Sequence, residues 1–267
     1  MIGNTSDLSF SNLLSLNNFT CLGFVLDSYT DTLYIAAKPA VDHPRDFEIW
    51  MTTINNDSKI YVTKARFFSD MDIYFANRSL YWNSGTNLRK LKLPSVHQNN
   101  QNGISPDEIV TYVLPKLTKE FVIDQRRGYI YFSTREIIYR VDMEVTGYRL
   151  ITDGLVDAPT GMCMDEDDEL LFFTHIYQER ESIFYYDLRR GTGVHVLVKL
   201  DGRNPRNLIF ISGWFIWLER ETLQACQMSI GQELSVKMGL CRSPWAVHDR
   251  FNVHNSQQLS MQLRSVN

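Results

Sequence analysis

Histidines are the first residues in this chain to test for chemistry, because paired histidines bind catalytic metals and single ones transfer protons near neutral pH. No two of them show the HExxH or i, i+4 spacing of a metalloenzyme. The GxSxG, GxxxxGKS/T and GxGxxG patterns of a nucleophilic serine or a phosphate loop are also missing. We therefore expect isolated histidines on strands or surfaces: His43, His97, His175, His195, His248 and His254.

A run of carboxylates from Asp165 to Glu169 is the best candidate for a metal site. Calcium needs about six to eight converging oxygen ligands, and a short hairpin directs its side chains apart. We interpret the run as a solvated acidic turn, and we predict no metal and no cofactor.

The composition indicates a globular chain with a substantial core: 44% of its 267 residues are hydrophobic and 12% are aromatic. The net charge of −4 and the lack of a basic stripe argue against nucleic-acid binding. No apolar run reaches the length of about 18 residues that a membrane span requires, and Met1 to Phe10 shows no secretory signal.

Cysteines and glycosylation sequons leave the cellular compartment open. The cysteines lack zinc-site spacing, Cys163 lies in an apolar run that favours a buried side chain, and a bridge between Cys226 and Cys241 stays undecided. Four N-x-S/T sequons, a mild excess over chance, would suit a secreted glycoprotein. They are Asn4, Asn18, Asn56 and Asn77.

A short aromatic strand recurs along the chain and gives the main structural signal. Its five copies are LYIA, LYWN, IYFS, LFFT and FIWL. Their second residues are separated by 47, 50, 41 and 44 positions, which fits one four-stranded propeller blade per repeat. These second residues are Tyr34, Tyr81, Tyr131, Phe172 and Ile216.

An aspartate stands seven residues before the second motif residue in three of the repeats: Asp27, Asp124 and Asp165. Because aspartate at a strand end bonds the backbone two residues on, we predict that these residues close hairpins. Tyr74 and Ile209 take this place in the second and fifth repeats.

Turn signals divide the repeats into strands and predict one all-β domain over residues 1–267, a six-bladed β-propeller with four antiparallel strands per blade. The fourth repeat, for example, divides into GMCMD, ELLFFT, SIFYYDL and GVHVLVK. Residues 95–108 form a polar insertion that we expect to be a flexible loop. Strand 8–16 is expected to complete the blade formed by residues 245–266 and so to close the ring.

The aromatic repeat, with its preceding aspartate and following strands such as LRKLKL and IIYRVDM, resembles the YWTD repeat. This is the class B repeat of the low-density-lipoprotein receptor family. LYWN is the closest copy, and the final Asp of the signature is absent from every repeat. The resemblance implies a six-bladed extracellular module of a secreted or membrane-anchored receptor, either lipoprotein-receptor-related or of the sevenless-type receptor tyrosine kinases. It also implies that the module binds a protein ligand or adjacent modules of the same receptor.

By analogy with that family, the loops between second and third strands and the connections between blades form the binding face. Tyr177, Arg180 and Arg220 are our candidate protein contacts there, because aromatic and arginine side chains dominate interface energetics. We expect no enzymatic activity and no membrane insertion by this segment.

Two alternatives stay open. The first is an intracellular propeller scaffold, although the GH and WD signature of the WD40 class is missing. The second is a metal-dependent hydrolase, since NGISPDE at residues 102–108 resembles a loop of six-bladed lactonases of the regucalcin type. That family needs a Glu on its first strand, where FVLDS has none.

Overall fold

A computed structural model describes residues 19–40, 46–53, 56–93, 108–155, 158–177, 180–200, 205–211, 213–219 and 222–228. These residues form 19 β-strands in five antiparallel sheets. Each sheet is built from consecutive strands, because short turns join runs of β-branched and aromatic residues. None of the described segments forms a helix of the length and hydrophobicity that a membrane span needs.

Four of the sheets contain four strands and the fifth contains three. Sheet 1 consists of β1 (Phe19–Asp27), β2 (Thr32–Pro39), β3 (Asp46–Thr53) and β4 (Asn56–Arg66). Sheet 2 consists of β5 (Phe68–Tyr74), β6 (Ser79–Ser84), β7 (Asn87–Lys92) and β8 (Ile109–Val113). Sheet 3 consists of β9 (Phe121–Asp124), β10 (Tyr129–Ser133), β11 (Ile138–Asp142) and β12 (Arg149–Thr152). Sheet 4 consists of β13 (Met162–Asp165), β14 (Leu170–Tyr177), β15 (Arg180–Asp187) and β16 (Thr192–Lys199). Sheet 5 consists of β17 (Pro205–Ile211), β18 (Trp214–Glu219) and β19 (Thr222–Gln227).

The first strands of successive sheets lie against one another: β1 contacts β5, β5 contacts β9, β9 contacts β13, and β13 contacts β17. The first strand of each sheet is therefore the inner one and the last strand is the outer one. This radial order of meandering sheets is the arrangement of propeller blades. The predicted strand division of the fourth repeat is confirmed.

The recurring aromatic motif joins neighbouring blades, because successive strand residues point to opposite faces of the sheet. Tyr81, the second motif residue of sheet 2, packs in one cluster with Phe121 of sheet 3. Trp82, the next residue, packs with Val25 and Tyr34 of sheet 1. Each motif thus fills the cores on both sides of its own blade. Trp82 and Trp217 are both buried in clusters that join neighbouring blades.

The predicted hairpin-closing role of the aspartates is confirmed. Asp27 accepts the amide of Tyr29, and Asp124 accepts the amides of the residues two and three positions further on. Asp165 makes the same pair of bonds in sheet 4. The residue before each second strand is left-handed in sheets 1 to 4, which ends the four-residue turn, and from this position Arg78 and Glu169 pair with the preceding blade. These residues are Asp31, Arg78, Gly128 and Glu169, with φ of 50°, 52°, 69° and 58°.

The prediction that Ile209 replaces the hairpin aspartate is wrong. In sheets 1 to 4 the second motif residue pairs with the residue nine positions earlier, as Val25 pairs with Tyr34. In sheet 5 Ile209 itself pairs with Ile216, only seven positions away. The hairpin there is two residues shorter and turns through Gly213 at φ 80°. Ile209 is consequently a core strand residue.

Some predicted elements lie outside the described residues. These are the closing strand 8–16, the sixth blade at residues 245–266, and the insertion 95–108 except for Glu108. The described part of the chain shows five blades, where the sequence predicted six.

Candidate functional site

The blades present two faces. One, the hairpin face, carries the turns between first and second strands and between third and fourth strands. The other, the connection face, carries the turns between second and third strands and the links from one sheet to the next. Described parts of the connection face include Phe67 and residues 85–86, 114–120, 134–137, 153–155 and 158–161.

The sequence-predicted contacts belong to the connection face. Tyr177 ends β14, Arg180 begins β15, and their backbones pair across the tip of that hairpin. The placement of their side chains is not described, and Arg220 lies outside the described residues. The role of all three in binding stays a prediction.

An exposed apolar pair marks the connection face where sheets 1 and 2 join. Phe67, the single residue between β4 and β5, is 47% exposed, and Leu117 in the link from β8 to β9 is 51% exposed. A Cβ atom built on Gly85 would lie 3.9 Å from Leu117 and 3.9 Å from Phe67. The two side chains therefore border the same buried glycine, and the patch they form with Gly85 is called the apolar patch below.

The backbone of Phe67 is strained, with a φ of 60°. An aromatic residue rarely adopts this left-handed conformation, and it costs about 1–2 kcal/mol relative to a glycine. The neighbouring residues hold it in place, because the hydroxyl of Ser84 donates to the carbonyl of Arg66 and Phe68 pairs with Ser84 in the sheet. The same torsion ends the hairpin turns at Asp31, Arg78 and Glu169, so the distinctive feature of Phe67 is its large, half-exposed apolar side chain.

The backbone around Leu117 is held just as firmly. The amide of Thr118 donates to the carbonyl of Gly85 at 3.3 Å. The Thr118 carbonyl accepts the side-chain amide of Asn83 at 2.9 Å and the hydroxyl of Ser69 at 3.4 Å. Leu117 is exposed on a fixed backbone, so a partner that contacts it would not have to order the segment first.

Cations surround the apolar patch. Arg66 precedes Phe67 and its side chain is 68% exposed, while Lys116 and Lys119 flank Leu117 and are exposed. The nearby acid Asp46 is only 14% exposed and pairs with Arg66 at 3.1 Å. The exposed charges next to Phe67 and Leu117 in the sequence are therefore mainly positive, with Glu120 of the same link half-buried, whereas the chain as a whole carries −4.

On the hairpin face, the acidic run of sheet 4 binds neighbouring protein groups. Glu166 accepts the amide of Gln125 at 2.8 Å, and Glu169 pairs with Arg127 at 2.6 Å. Asp167 lies 3.5 Å from Arg126. These carboxylates thus bind separate residues next to or in the first hairpin of sheet 3 and do not converge on one point. Within the described ranges, no group of three or more His, Cys, Asp or Glu side chains could hold a metal ion.

Two buried carboxylates of β5 and the half-buried Glu166 join sheets 2, 3 and 4. Asp70 on β5 accepts the amide of Phe121 on β9 at 3.2 Å, and Asp72 bonds the amide of Ile123. Together with Glu166, they satisfy three alternate amides on the free inner edge of sheet 3, at residues 121, 123 and 125. Burial raises the pKa of both aspartates, and the pKa of Asp72 rises to about 8.

The cysteines in the described residues are buried thiols: Cys21, Cys163 and Cys226. Burial raises the pKa of Cys163 well above its usual value, which fits the predicted packing role. Cys241 lies outside the described residues, so the bridge to Cys226 stays undecided.

The four sequons stay predictions. Asn4 and Asn18 lie outside the described residues, and Asn56 pairs with Thr53 at the start of β4. Asn77 lies in the turn after β5, and its side-chain oxygen is buried.

Sequence reasoning missed the apolar patch. Phe67 and Phe68 are consecutive apolar residues that fit a buried strand. The left-handed break that exposes Phe67 comes from the junction between two blades, and no turn residue signals it. Leu117 stands between two lysines in KLTK, and that charged context was the only available signal.

The fold and its radial sheet order define a β-propeller. No protein-family model matches the chain, and no curated protein is significantly similar. Among solved structures, a chain of a nidogen/laminin complex aligns with a TM-score of 0.65 at 12% identity, covering 80% of this chain and 78% of that one. A chain of hydrazine synthase from Kuenenia stuttgartiensis aligns with a TM-score of 0.58 at 9% identity, covering 86% of this chain and 68% of that one.

At these identities the two comparisons establish the propeller architecture alone. They agree with the predicted all-β class and the four-stranded antiparallel blades. The YWTD family and a receptor origin stay hypotheses.

Proposed function

We propose that this chain is a protein-interaction propeller and that its connection face carries the binding site. The observation that carries the proposal is the apolar patch, where Phe67 and Leu117 are exposed on backbones that hydrogen bonds hold in place. A preformed apolar surface with a cationic border has the composition of a protein contact site. The likeness to a chain from a complex of two proteins, nidogen and laminin, is in keeping with this role.

A catalytic role is not part of the proposal. The buried acids of the inner strand β5 and a half-buried acid of the turn after β13 are engaged by backbone amides. Asp70, Asp72 and Glu166 each accept an amide from sheet 3. Their positions suit a role in joining blades. The likeness to hydrazine synthase is one of fold, at 9% identity, and suggests no reaction for this chain.

Site-specific photo-cross-linking tests the proposed function. A benzophenone amino acid would replace Leu117 or Arg135 on the connection face, and Arg126 or Arg189 on the hairpin face as matched exposed controls. Irradiated with cells of its natural source, the connection-face variants are expected to yield a discrete cross-linked protein and the controls are not. Equal patterns from both faces, or no discrete adduct, would refute the assignment.

The proposal extends to a six-bladed ring, closed by strand 8–16 and residues 245–266. Apolar residues support it on the side of sheet 1 that faces away from sheet 2 and on the side of sheet 5 that faces away from sheet 4. Ile35 and Ile216 occupy these positions, and the equivalent motif residues of the other sheets pack against a neighbouring blade. Asp31 adds a second argument. It occupies the left-handed position from which Arg78 and Glu169 each pair with the preceding blade.

We further propose an extracellular setting in a YWTD-like receptor, lipoprotein-receptor-related or of the sevenless type, where the chain would also contact adjacent modules. The sequons and the repeat motif support this setting. Detecting the natural protein at the cell surface with N-linked glycans would support it. A cytosolic protein with unmodified sequons would instead favour an intracellular scaffold.

A further inference from the structure

We infer that the apolar patch of Phe67, Gly85 and Leu117 binds an acidic segment of a partner protein that presents one large apolar side chain. The inference rests on the proposed function and specifies the chemistry of the partner. Its first basis is shape. Phe67 and Leu117 both lie next to Gly85, where an added Cβ atom would be 3.9 Å from each of them, so the glycine leaves room beside the two apolar side chains.

The second basis is the strain at Phe67. A glycine or asparagine at φ 60° would relieve the strain at this one-residue link between β4 and β5. A phenylalanine that is 47% exposed contributes only part of its burial energy to folding. The position therefore carries a large, half-exposed ring on a left-handed backbone, a combination that suits a contact residue.

The third basis is charge. Arg66, Lys116 and Lys119 border the patch, and its close acid Asp46 is already paired with Arg66. These local cations would attract acidic partners and repel cationic ones at short range, although the net charge of the whole chain is −4. Carboxylates flanking an apolar anchor would pair with these side chains at the rim while the anchor excludes water at the centre.

Fluorescence anisotropy with defined peptides tests the inference on the full chain. The probe is a labelled nonapeptide with one central tryptophan and four acidic residues on each side. Two control peptides carry a central alanine or lysine flanks. The wild-type chain is expected to bind the probe, to bind the alanine peptide about tenfold more weakly, and not to bind the lysine peptide.

Substitutions in the protein separate binding from folding. Phe67→Gly is expected to weaken probe binding about tenfold while the Tm stays equal or rises, since the ring is lost and the strain is relieved. Leu117→Ser should weaken binding similarly. Leu150→Ser, on an equally exposed leucine of β12, is the matched control and should bind as the wild type does. Reversing Lys116 and Lys119 to glutamate should abolish binding.

Several outcomes would overturn the inference. The probe does not bind, the alanine peptide binds equally well, or Phe67→Gly binds like the wild type. Sedimentation that reveals a dimer lost in Phe67→Gly would assign the patch to a second copy of the chain instead. If the peptide fails while cross-linking from the connection face still yields a discrete partner, the acidic-segment inference falls and the proposed function stands.

Discussion

Arg78 clamps Asp27 across the junction of the first two blades. Its two terminal guanidinium nitrogens donate to the two carboxylate oxygens at 2.8 Å and 2.6 Å. The Asp27 side chain is fully buried and that of Arg78 is 18% exposed. Asp27 also closes its own hairpin, through the amide of Tyr29 and the hydroxyl of Thr30. A single carboxylate therefore fixes a turn and ties it to the next blade.

Arg78→Ala should lower the free energy of unfolding by about 3 kcal/mol, because it leaves the Asp27 carboxylate buried without its cation. Urea denaturation followed by tryptophan fluorescence measures the change. Arg190→Ala is the control, since Arg190 is 78% exposed and lies 3.6 Å from Asp187. That exposed pair should contribute little. Equal effects in the two variants would contradict a structural role for the clamp.

The corresponding junction between sheets 2 and 3 uses a different pair of residues. Tyr74 stands where Asp27 does, and the left-handed position opposite it is Gly128, where an added Cβ would lie 2.9 Å from the Tyr74 hydroxyl. The tyrosine thus occupies the space that a side chain fills in other blades. Tyr74 therefore requires a glycine at position 128, just as Asp27 is paired with Arg78 at the equivalent position of sheet 2.

Gly128→Ala should lower stability by about 2–3 kcal/mol, from the left-handed backbone together with the clash against Tyr74. Gly191→Ala shares the conformational part alone, because its φ is 62° and its added Cβ would meet its nearest atom at 3.8 Å. It should lose about 1–2 kcal/mol. Adding Tyr74→Phe, which removes the clashing hydroxyl, should recover part of the loss in Gly128→Ala. Thermal unfolding of the four proteins measures this, and no recovery would contradict the packing argument.

Stability should fall as the pH rises from about 4 to about 8. Burial raises the pKa of Asp72 to about 8, so the folded state holds a proton that the unfolded chain releases near pH 4. The stabilisation is complete below the unfolded pKa and is lost as the pH passes the folded one. Asp70, whose pKa is raised by the same cause, acts in the same direction.

Asp72→Asn removes one of these titrating groups. Plotted between pH 5 and 8, its free energy of unfolding should therefore have a shallower slope than that of the wild type. The slope is the informative quantity, since the substitution also alters hydrogen bonds to the Ile73 and Ile123 amides. Asp153→Asn, at an exposed aspartate, serves as control. Identical slopes in all three proteins would rule out titration of Asp72.

Much of the fold could be predicted from local pattern. The aromatic strands, the Asp27, Asp124 and Asp165 turns and the strand divisions depend on residues within a few positions of one another. The clamp between Asp27 and Arg78 could not be predicted, because it joins residues 51 positions apart and depends on how two blades pack. The Ile209 register failed because one shortened hairpin shifts the pairing by two residues.

The candidate site was predicted less well. The connection face was expected on family resemblance, but the residues named on it, Tyr177, Arg180 and Arg220, were chosen by residue type. Phe67 was not named, because exposure of an aromatic residue depends on a backbone torsion at a blade junction. Residue type alone does not report such a torsion.

Closure of the ring is the claim on which the six-bladed architecture depends, and hydrogen exchange of the full chain tests it most directly. Peptides covering residues 8–16 and 245–266 should exchange as slowly as the outer strand β12, because their amides would be bonded within one sheet. Exchange of both segments at the rate of an unfolded peptide, while β12 stays protected, would contradict the six-bladed ring.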